Sequence, residues 1–94
     1  MFTMTKAPDG SIKLAGKMHD AYFKYAEDYL QDITETTTLD FSDLIYISSS
    51  GLGLLLRTQK RLETTGQALV LTGMSGHVRE LFAITRFDTI FDIK

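Results

Sequence analysis

Three serines and a glycine, Ser48-Ser49-Ser50-Gly51, separate a short apolar run from a segment with helical spacing. The first turn of a helix has unpaired N–H groups and a partial positive charge. A serine placed there either caps the helix or, if phosphorylated, holds its phosphate against several N–H donors. Gly51 allows a sharp bend and leaves this serine loop open to a partner. Spacing alone favours the capping role.

A phosphate on the serine loop would act most strongly if the loop lay in a protein interface. The phosphoryl group adds about −1.5 to −2 charges at neutral pH, and that charge would have to be desolvated against the partner. A penalty of about 3 kcal/mol weakens binding roughly 10²-fold. The loop is therefore a candidate switch as well as a candidate cap.

The segments beside the serine loop predict the elements that position it. Residues 36–41 are rich in β-branched side chains and indicate a strand, whereas Ser42-Asp43 indicates a turn. Residues 44–47 form a continuous apolar run, which is typical of a short strand covered on both faces. Beyond the loop a helix is predicted that ends at Gly66. Its apolar face comprises Leu52, Leu55, Leu56, Gln59 and Leu62.

A hairpin and a helix are predicted nearer the N-terminus. Residues 2–6 and 11–15 alternate weakly between apolar and polar side chains, and Pro8-Asp9-Gly10 between them is a turn sequence. We expect Gly16 to end the second strand. From residue 18 to residue 33 apolar side chains recur every three or four positions, which predicts an amphipathic helix lying on a sheet.

The C-terminal third repeats the strand–helix alternation. Residues 67–72 predict a buried strand, Ser75 is a plausible N-cap, and residues 78–85 predict a short helix. Residues 90–93 predict a last strand. The order β-β-α-β-β-α-β-α plus a terminal strand indicates an α/β fold with a small mixed, largely parallel sheet.

Composition narrows the function classes. With 94 residues the chain is expected to form one domain, residues 1–94, and its net charge of −2 without a basic tract argues against nucleic acid as the main ligand. The absence of cysteine excludes thiol catalysis and thiolate metal sites. No apolar run is long enough for membrane insertion, and a cytoplasmic location is the simplest interpretation.

Other chemical patterns are weaker. Gly51-Leu52-Gly53 lacks the third glycine of a dinucleotide fingerprint, and nothing in the sequence places His19 or His77 beside Ser49 as a catalytic triad. His77 and Glu80 share a helix face, but two ligands do not define a metal site, so no metal or cofactor is expected. A small basic group on the second helix is best explained as a solvated face. It consists of Arg57, Lys60 and Arg61.

Several segments together resemble the STAS domain family of anti-sigma factor antagonists. The central match is residues 40–56, DFSDLIYISSSGLGLLL. It continues through GQALVL at 66–71, VRELFAITRF at 78–87 and FDI at 91–93. GKM at 16–18 resembles the family's entry to its first helix. The resemblance covers essentially the whole chain.

The resemblance implies a sheet with helices packed mainly on one side and an exposed serine loop at a helix N-terminus. It also implies a non-enzymatic bacterial signalling protein that binds an anti-sigma factor acting as a serine kinase, with a serine phosphatase reversing phosphorylation. By position, the phosphorylated residue is Ser49. Two positions depart from the family pattern: Ser48 replaces an aspartate, and His19 replaces an acid, with Asp20 next to it. The implied partner-binding residues are Ser48, Ser49, Ser50, Gly51, Leu52, His19 and Asp20.

Two further hypotheses remain open. The missing aspartate at Ser48 favours a non-phosphorylated STAS adaptor subunit of a transporter or signalling complex. The helix-terminal N–H groups would also suit a nucleotide or another anion.

Overall fold

The computed structural model describes all 94 residues and contains one five-stranded sheet with three α-helices. The strands are β1 (Phe2–Lys6), β2 (Ile12–Met18), β3 (Thr37–Ile47), β4 (Leu69–Thr72) and β5 (Asp92–Ile93). The helices are α1 (Phe23–Gln31), α2 (Ser49–Glu63) and α3 (Gly76–Ile84). Short 3-10 turns at Asp20–Tyr22 and Phe87–Thr89 precede α1 and β5. The spatial strand order equals the chain order, 1-2-3-4-5.

The sheet is mixed and mostly parallel, as predicted. Only β1 and β2 pair antiparallel, and each later strand is parallel to the one before it. Right-handed crossovers that always advance in the same direction place their helices on the same face of a sheet. The core lies between that face and the helices. Its fully buried large side chains include Leu14, Leu39, Phe41, Leu69, Leu71 and Phe82.

The predicted hairpin is confirmed, but the predicted end of its second strand at Gly16 is wrong. Strand β2 continues to Met18, and Gly16 has a φ of 94° within it. A Cβ at this position would lie 1.9 Å from the carbonyl oxygen of Met1. Gly16 therefore serves as an irregular position inside the strand, where only glycine combines positive φ with so close an approach.

The predicted turn at Ser42-Asp43 is also wrong, because β3 runs unbroken for 11 residues. Its register with β2 shifts twice, and each shift adds one residue to β3. Near the first shift the Asp40 carboxylate accepts a hydrogen bond of 2.9 Å from the Ser42 N–H. The local chemistry of a turn is thus present, but pairing with β2 keeps the backbone extended.

The end of β3 is not covered on both faces. Leu44 and Ile47 are buried, whereas Ile45 and Tyr46 remain 64% and 43% exposed. The strand of residues 44–47 therefore presents apolar side chains to the surface beside the serine loop. The continuous apolar run reflects one buried pair and one exposed pair rather than complete burial.

Other predicted boundaries shift by a few residues. Met18 belongs to β2 and Ile33 follows α1, so the predicted first helix is shortened at both ends. The last strand is limited to Asp92–Ile93 because the N–H groups of Ile90 and Phe91 donate back to the Phe87 carbonyl of the 3-10 turn. No helix has both the length and the hydropathy needed to cross a membrane.

Substitution at Gly16 tests the strand irregularity. Gly16→Ala should lower the free energy of unfolding by roughly 1–2 kcal/mol or more, because a side chain at positive φ is strained and the new Cβ meets backbone. The matched control is Gly53→Ala, in α2, where a Cβ would have open space. That variant should gain roughly 0.5–1 kcal/mol. Urea unfolding measures both, and equal midpoints for the two variants would contradict the assignment.

Candidate functional site

The serine loop lies where three elements meet: the ends of β2 and β3 and the start of α2. Ser48 is the N-cap of α2, and its Oγ accepts a hydrogen bond of 3.1 Å from the Gly51 N–H. The Ser48 N–H donates to the Met18 carbonyl oxygen at 2.9 Å, and its own carbonyl accepts from Leu52. Ser48 is only 9% exposed. Its side chain is therefore committed to the fold, which confirms the capping interpretation for this residue.

Gly51 sits where α2 begins to pack on the sheet. A Cβ there would lie 3.0 Å from Ile47 Cγ1 and 3.3 Å from Met18 Sδ. Gly51 is buried. Its role is to let the first turn of α2 approach the strand ends closely, which fixes the positions of Ser49 and Ser50 at the start of the helix.

Asp20 reaches the serine loop from the 3-10 turn that follows β2. The Ser50 hydroxyl donates a hydrogen bond to Asp20 Oδ1, and Ser48 Oγ lies 3.0 Å from Ser50 Oγ. The hydrogen bond from Ser50 is the main cause that holds the pKa of the Asp20 carboxyl below its usual range, and the nearby Ser48 hydroxyl and His19 act in the same direction. A carboxylate is thus held ionised against the loop, although Ser48 stands in the chain where an aspartate was expected.

Ser49 differs from both neighbouring serines. It is the first residue of α2, its side chain is exposed, and its hydroxyl makes no hydrogen bond within the protein. Of the three serine hydroxyls in the loop, this one alone is free. The structure thus separates three residues that the sequence presents as equivalent.

Beside Ser49 lies an apolar depression of about 300 Å³ between the end of β3, the start of α2 and α3. Exposed Ile45 flanks it in sequence on β3, and Ile84, which is 71% exposed, lies near the end of α3. The depression is lined by Tyr46, Ile47, Ser49, Leu52, His77, Val78, Leu81 and Thr85. This surface was missed from the sequence because residues 44–47 looked fully buried. The only available signal was the helical spacing of Leu81 and Thr85.

The remaining predicted residues fall into two groups. His19 packs its ring edge against Tyr22, with centroids 5.0 Å apart, and lies next to Asp20 in the chain. His77 lines the depression, and no group of three or more His, Asp or Glu side chains is arranged to hold a metal.

The basic residues of α2 are not simply solvated. Arg61 donates to the carbonyl oxygens of Ile33 and Leu30 at 2.8 and 3.0 Å, closing the end of α1, and Arg57 pairs with Glu27 at 3.3 Å. Arg57, Lys60 and Arg61 nevertheless remain exposed, in agreement with the predicted solvated face, while α1 packs beside the two arginines. Their role is structural, at a distance from the serine loop along α2.

A larger groove of about 900 Å³ lies at the opposite end of β3, between the hairpin turn and residues 34–38. Its lining is dominated by threonine and acidic side chains, including Asp9, Asp32 and Asp40. It is open and polar, and none of the predicted site residues contributes to it.

Comparison with known proteins identifies the relationship. Residues 5–92 match the family model described as "Mlab, STAS domain". A Bordetella bronchiseptica protein with the name "Putative anti-sigma factor antagonist BtrV" is 44% identical over 55 residues, which are 58% of this chain and 47% of that protein. The anti-sigma-B factor antagonist of Listeria monocytogenes is 36% identical over 56 residues, 60% of this chain and 49% of that protein. The chain thus spans about half the length of the curated relatives it matches.

Solved structures share the fold at low identity. A Thermotoga maritima crystal structure described as a "putative anti-sigma factor antagonist" superposes with a TM-score of 0.80 at 20% identity, over 99% of this chain and 85% of that one. The Bacillus cell fate determinant SpoIIAA in its phosphorylated form gives 0.70 at 18% identity, over 100% and 91%. These likenesses confirm the predicted fold class.

The three serines should contribute unequally to stability. Ser48→Ala should lower the free energy of unfolding by about 1 kcal/mol, because it removes the N-cap of α2. Ser49→Ala should change it by less than about 0.5 kcal/mol, because that hydroxyl is exposed and unbonded. Denaturant unfolding measures the difference. A cost for Ser49→Ala equal to that for Ser48→Ala would contradict the assignment of the cap.

The Asp20 contact should be visible as a pH dependence. Because the pKa of Asp20 is lowered in the folded state, its contribution to stability is present above pH about 4 and is lost as the pH falls through the folded pKa. Asp20→Asn should therefore be less stable than the parent at pH 7, and the gap should close in acid. Thermal melts of both proteins across pH 3–7 measure this, and a constant gap would refute it.

Proposed function

The chain belongs to the STAS domain family, and from that premise we propose that it is an anti-sigma factor antagonist whose partner binding is controlled by phosphorylation at Ser49. It acts by binding rather than by catalysis. The partner is an anti-sigma factor that is also a serine kinase, and binding it frees a sigma factor. A serine phosphatase restores the binding form. The names of the curated relatives support this proposal.

One observation carries it: the free, exposed hydroxyl of Ser49 stands at the rim of an apolar depression. Tyr46 and Leu81 line the depression and offer apolar area to a partner. Exposed apolar surface rimmed by polar groups marks interaction sites in soluble proteins. A kinase would therefore find its acceptor serine within the same surface that it binds.

The switch acts on the interface and leaves the fold intact. Ser49 is the first residue of α2, so a phosphate there faces the positive end of the helix dipole and is compatible with the helix. Since Ser49 makes no internal hydrogen bond, its modification removes none. The added charge then acts on the partner, which must desolvate it against the apolar depression.

The loop residues divide into contact and support. Ser49, Ser50, His19 and Asp20 are proposed to face the partner, with the ionised Asp20 presenting negative charge to a basic surface, and the buried Leu52 is proposed to contact it only as lining of the depression. Ser48 and Gly51 are proposed to act indirectly, by fixing the start of α2. Their substitution should weaken binding through the shape of the loop.

A second candidate function is an adaptor subunit of a transporter or signalling complex that binds without phosphorylation. One observation favours it: Ser48 replaces the aspartate of the phosphorylated pattern. The same depression would then hold a partner constitutively. Affinity capture from the native cell separates the two, because a transporter ATPase recovered in place of a kinase-type anti-sigma factor supports the adaptor.

A charge introduced at Ser49 should break the complex. Ser49→Asp should weaken binding to the kinase-type anti-sigma factor of the same genome by roughly 10²-fold, corresponding to about 3 kcal/mol. Ser49→Asn has nearly the same size without the charge and should stay within a few-fold of the parent. Titration calorimetry with the purified anti-sigma factor measures all three proteins.

Two results would count against the proposal. Equal affinity of the Asp and Asn variants would show that charge at this position does not control binding. Persistent absence of phosphate from Ser48, Ser49 and Ser50 in protein purified from native cells in every growth state would remove the switch, while leaving the adaptor function in place.

A further inference from the structure

The serine loop contains three adjacent serine hydroxyls, and the proposed function requires that the kinase phosphorylate one of them, Ser49. We propose that Asp20 is a positioning residue that directs phosphorylation to Ser49 by engaging Ser50. The inference rests on the proposed function, because it concerns which serine of the same site is modified. It assigns to Asp20 a role that acts through Ser50 rather than by contact with ATP.

The phosphorylation step sets the requirement. The γ-phosphoryl group of ATP passes to a serine oxygen, the bond to the β–γ bridging oxygen breaks, and ADP leaves. The hydroxyl proton goes to a catalytic base of the kinase. An acceptor hydroxyl must therefore be reachable, free to orient toward the phosphorus atom, and able to carry the product's charge.

Ser48 fails the first of these conditions. It is 9% exposed, and its Oγ accepts the N-cap hydrogen bond from Gly51. Turning this hydroxyl outward would leave the buried Gly51 N–H without a partner. Ser48 is thus withheld by the fold itself, independently of Asp20.

Ser50 is accessible in part and is withheld by Asp20. Its hydroxyl donates to the Asp20 carboxylate, so its proton and its orientation are already committed. A phosphate on Ser50 would also carry its charge directly against that carboxylate, and two like charges in contact repel. The lowered pKa of Asp20 means that the carboxylate is ionised at neutral pH. Both effects disfavour Ser50, and both depend on residue 20.

Ser49 alone meets all three conditions. Its side chain is exposed and forms no hydrogen bond, and it lies at the positive end of α2. Removing the carboxylate at residue 20 should therefore release Ser50 as a second acceptor, so that the share of phosphate on Ser50 rises relative to that on Ser49. The choice between the two serines is encoded thirty residues away from Ser50 in the chain.

The test is phosphate localisation by fragmentation mass spectrometry after incubation with the kinase-type anti-sigma factor of the same genome and ATP. In the parent, Ser49 should carry at least tenfold more phosphate than Ser50. In Asp20→Asn the share on Ser50 should rise at least tenfold, and Asp20→Glu should restore the parental pattern. Ser49→Ala should take no phosphate, whereas Ser49→Ala combined with Asp20→Asn should be labelled at Ser50. Circular dichroism confirms that each variant is folded.

The outcomes distinguish a failure of the role proposed for Asp20 from a failure of the phosphorylation switch. Phosphate on Ser49 in both the parent and Asp20→Asn, with an unchanged share on Ser50, overturns the role of Asp20 and leaves the switch standing. Phosphate on Ser50 in the single Ser49→Ala variant also overturns the role of Asp20 and leaves the switch standing. A parent protein that binds the kinase but takes no phosphate on any serine overturns the switch and this inference together.

Discussion

The hydrogen bond from the Gly51 N–H to the Ser48 side chain determines the geometry of the whole site. Ser48 also bonds through its own N–H to the Met18 carbonyl, so one residue joins the end of β2 to the start of α2. Gly51 can approach the strand ends only because it has no Cβ. This junction places every exposed group of the serine loop. The positions of these groups therefore follow from backbone constraints rather than from flexible side chains.

The same junction gives the three serines of the loop different hydrogen-bonding environments. Ser48 is used by the helix, Ser50 is used by Asp20, and Ser49 is left with a free hydroxyl. Such a division is possible because successive residues of a first helical turn point in different directions around its axis. Which serine hydroxyl is free to react therefore depends on the direction in which each side chain points, and the N-cap at Ser48 sets those directions.

Features with local causes could be predicted from the sequence. The hairpin follows from Pro8-Asp9-Gly10, and the caps at Ser48 and Ser75 follow from serine before an apolar helical period. Features with distant causes could not. The unbroken β3 depends on its register with β2, and the exposure of Ile45 depends on the two register shifts within that pairing. The sequence places the acid Asp20 beside a position where the family has an acid, but the contact of Asp20 with Ser50 could not be predicted without the fold.

The apolar depression and the free hydroxyl gain their significance from lying together. Exposed Ile45, Tyr46 and Ile84 contribute little to the core, so their exposure is not explained by stability. A charge added in open water would cost a partner little, whereas a charge at the rim of an apolar contact must lose its hydration when the partner binds. Because Ser49 holds nothing in place, the protein can acquire that charge and remain folded. A residue suited to switching binding is therefore one that the fold does not need, and within the serine loop that residue is Ser49.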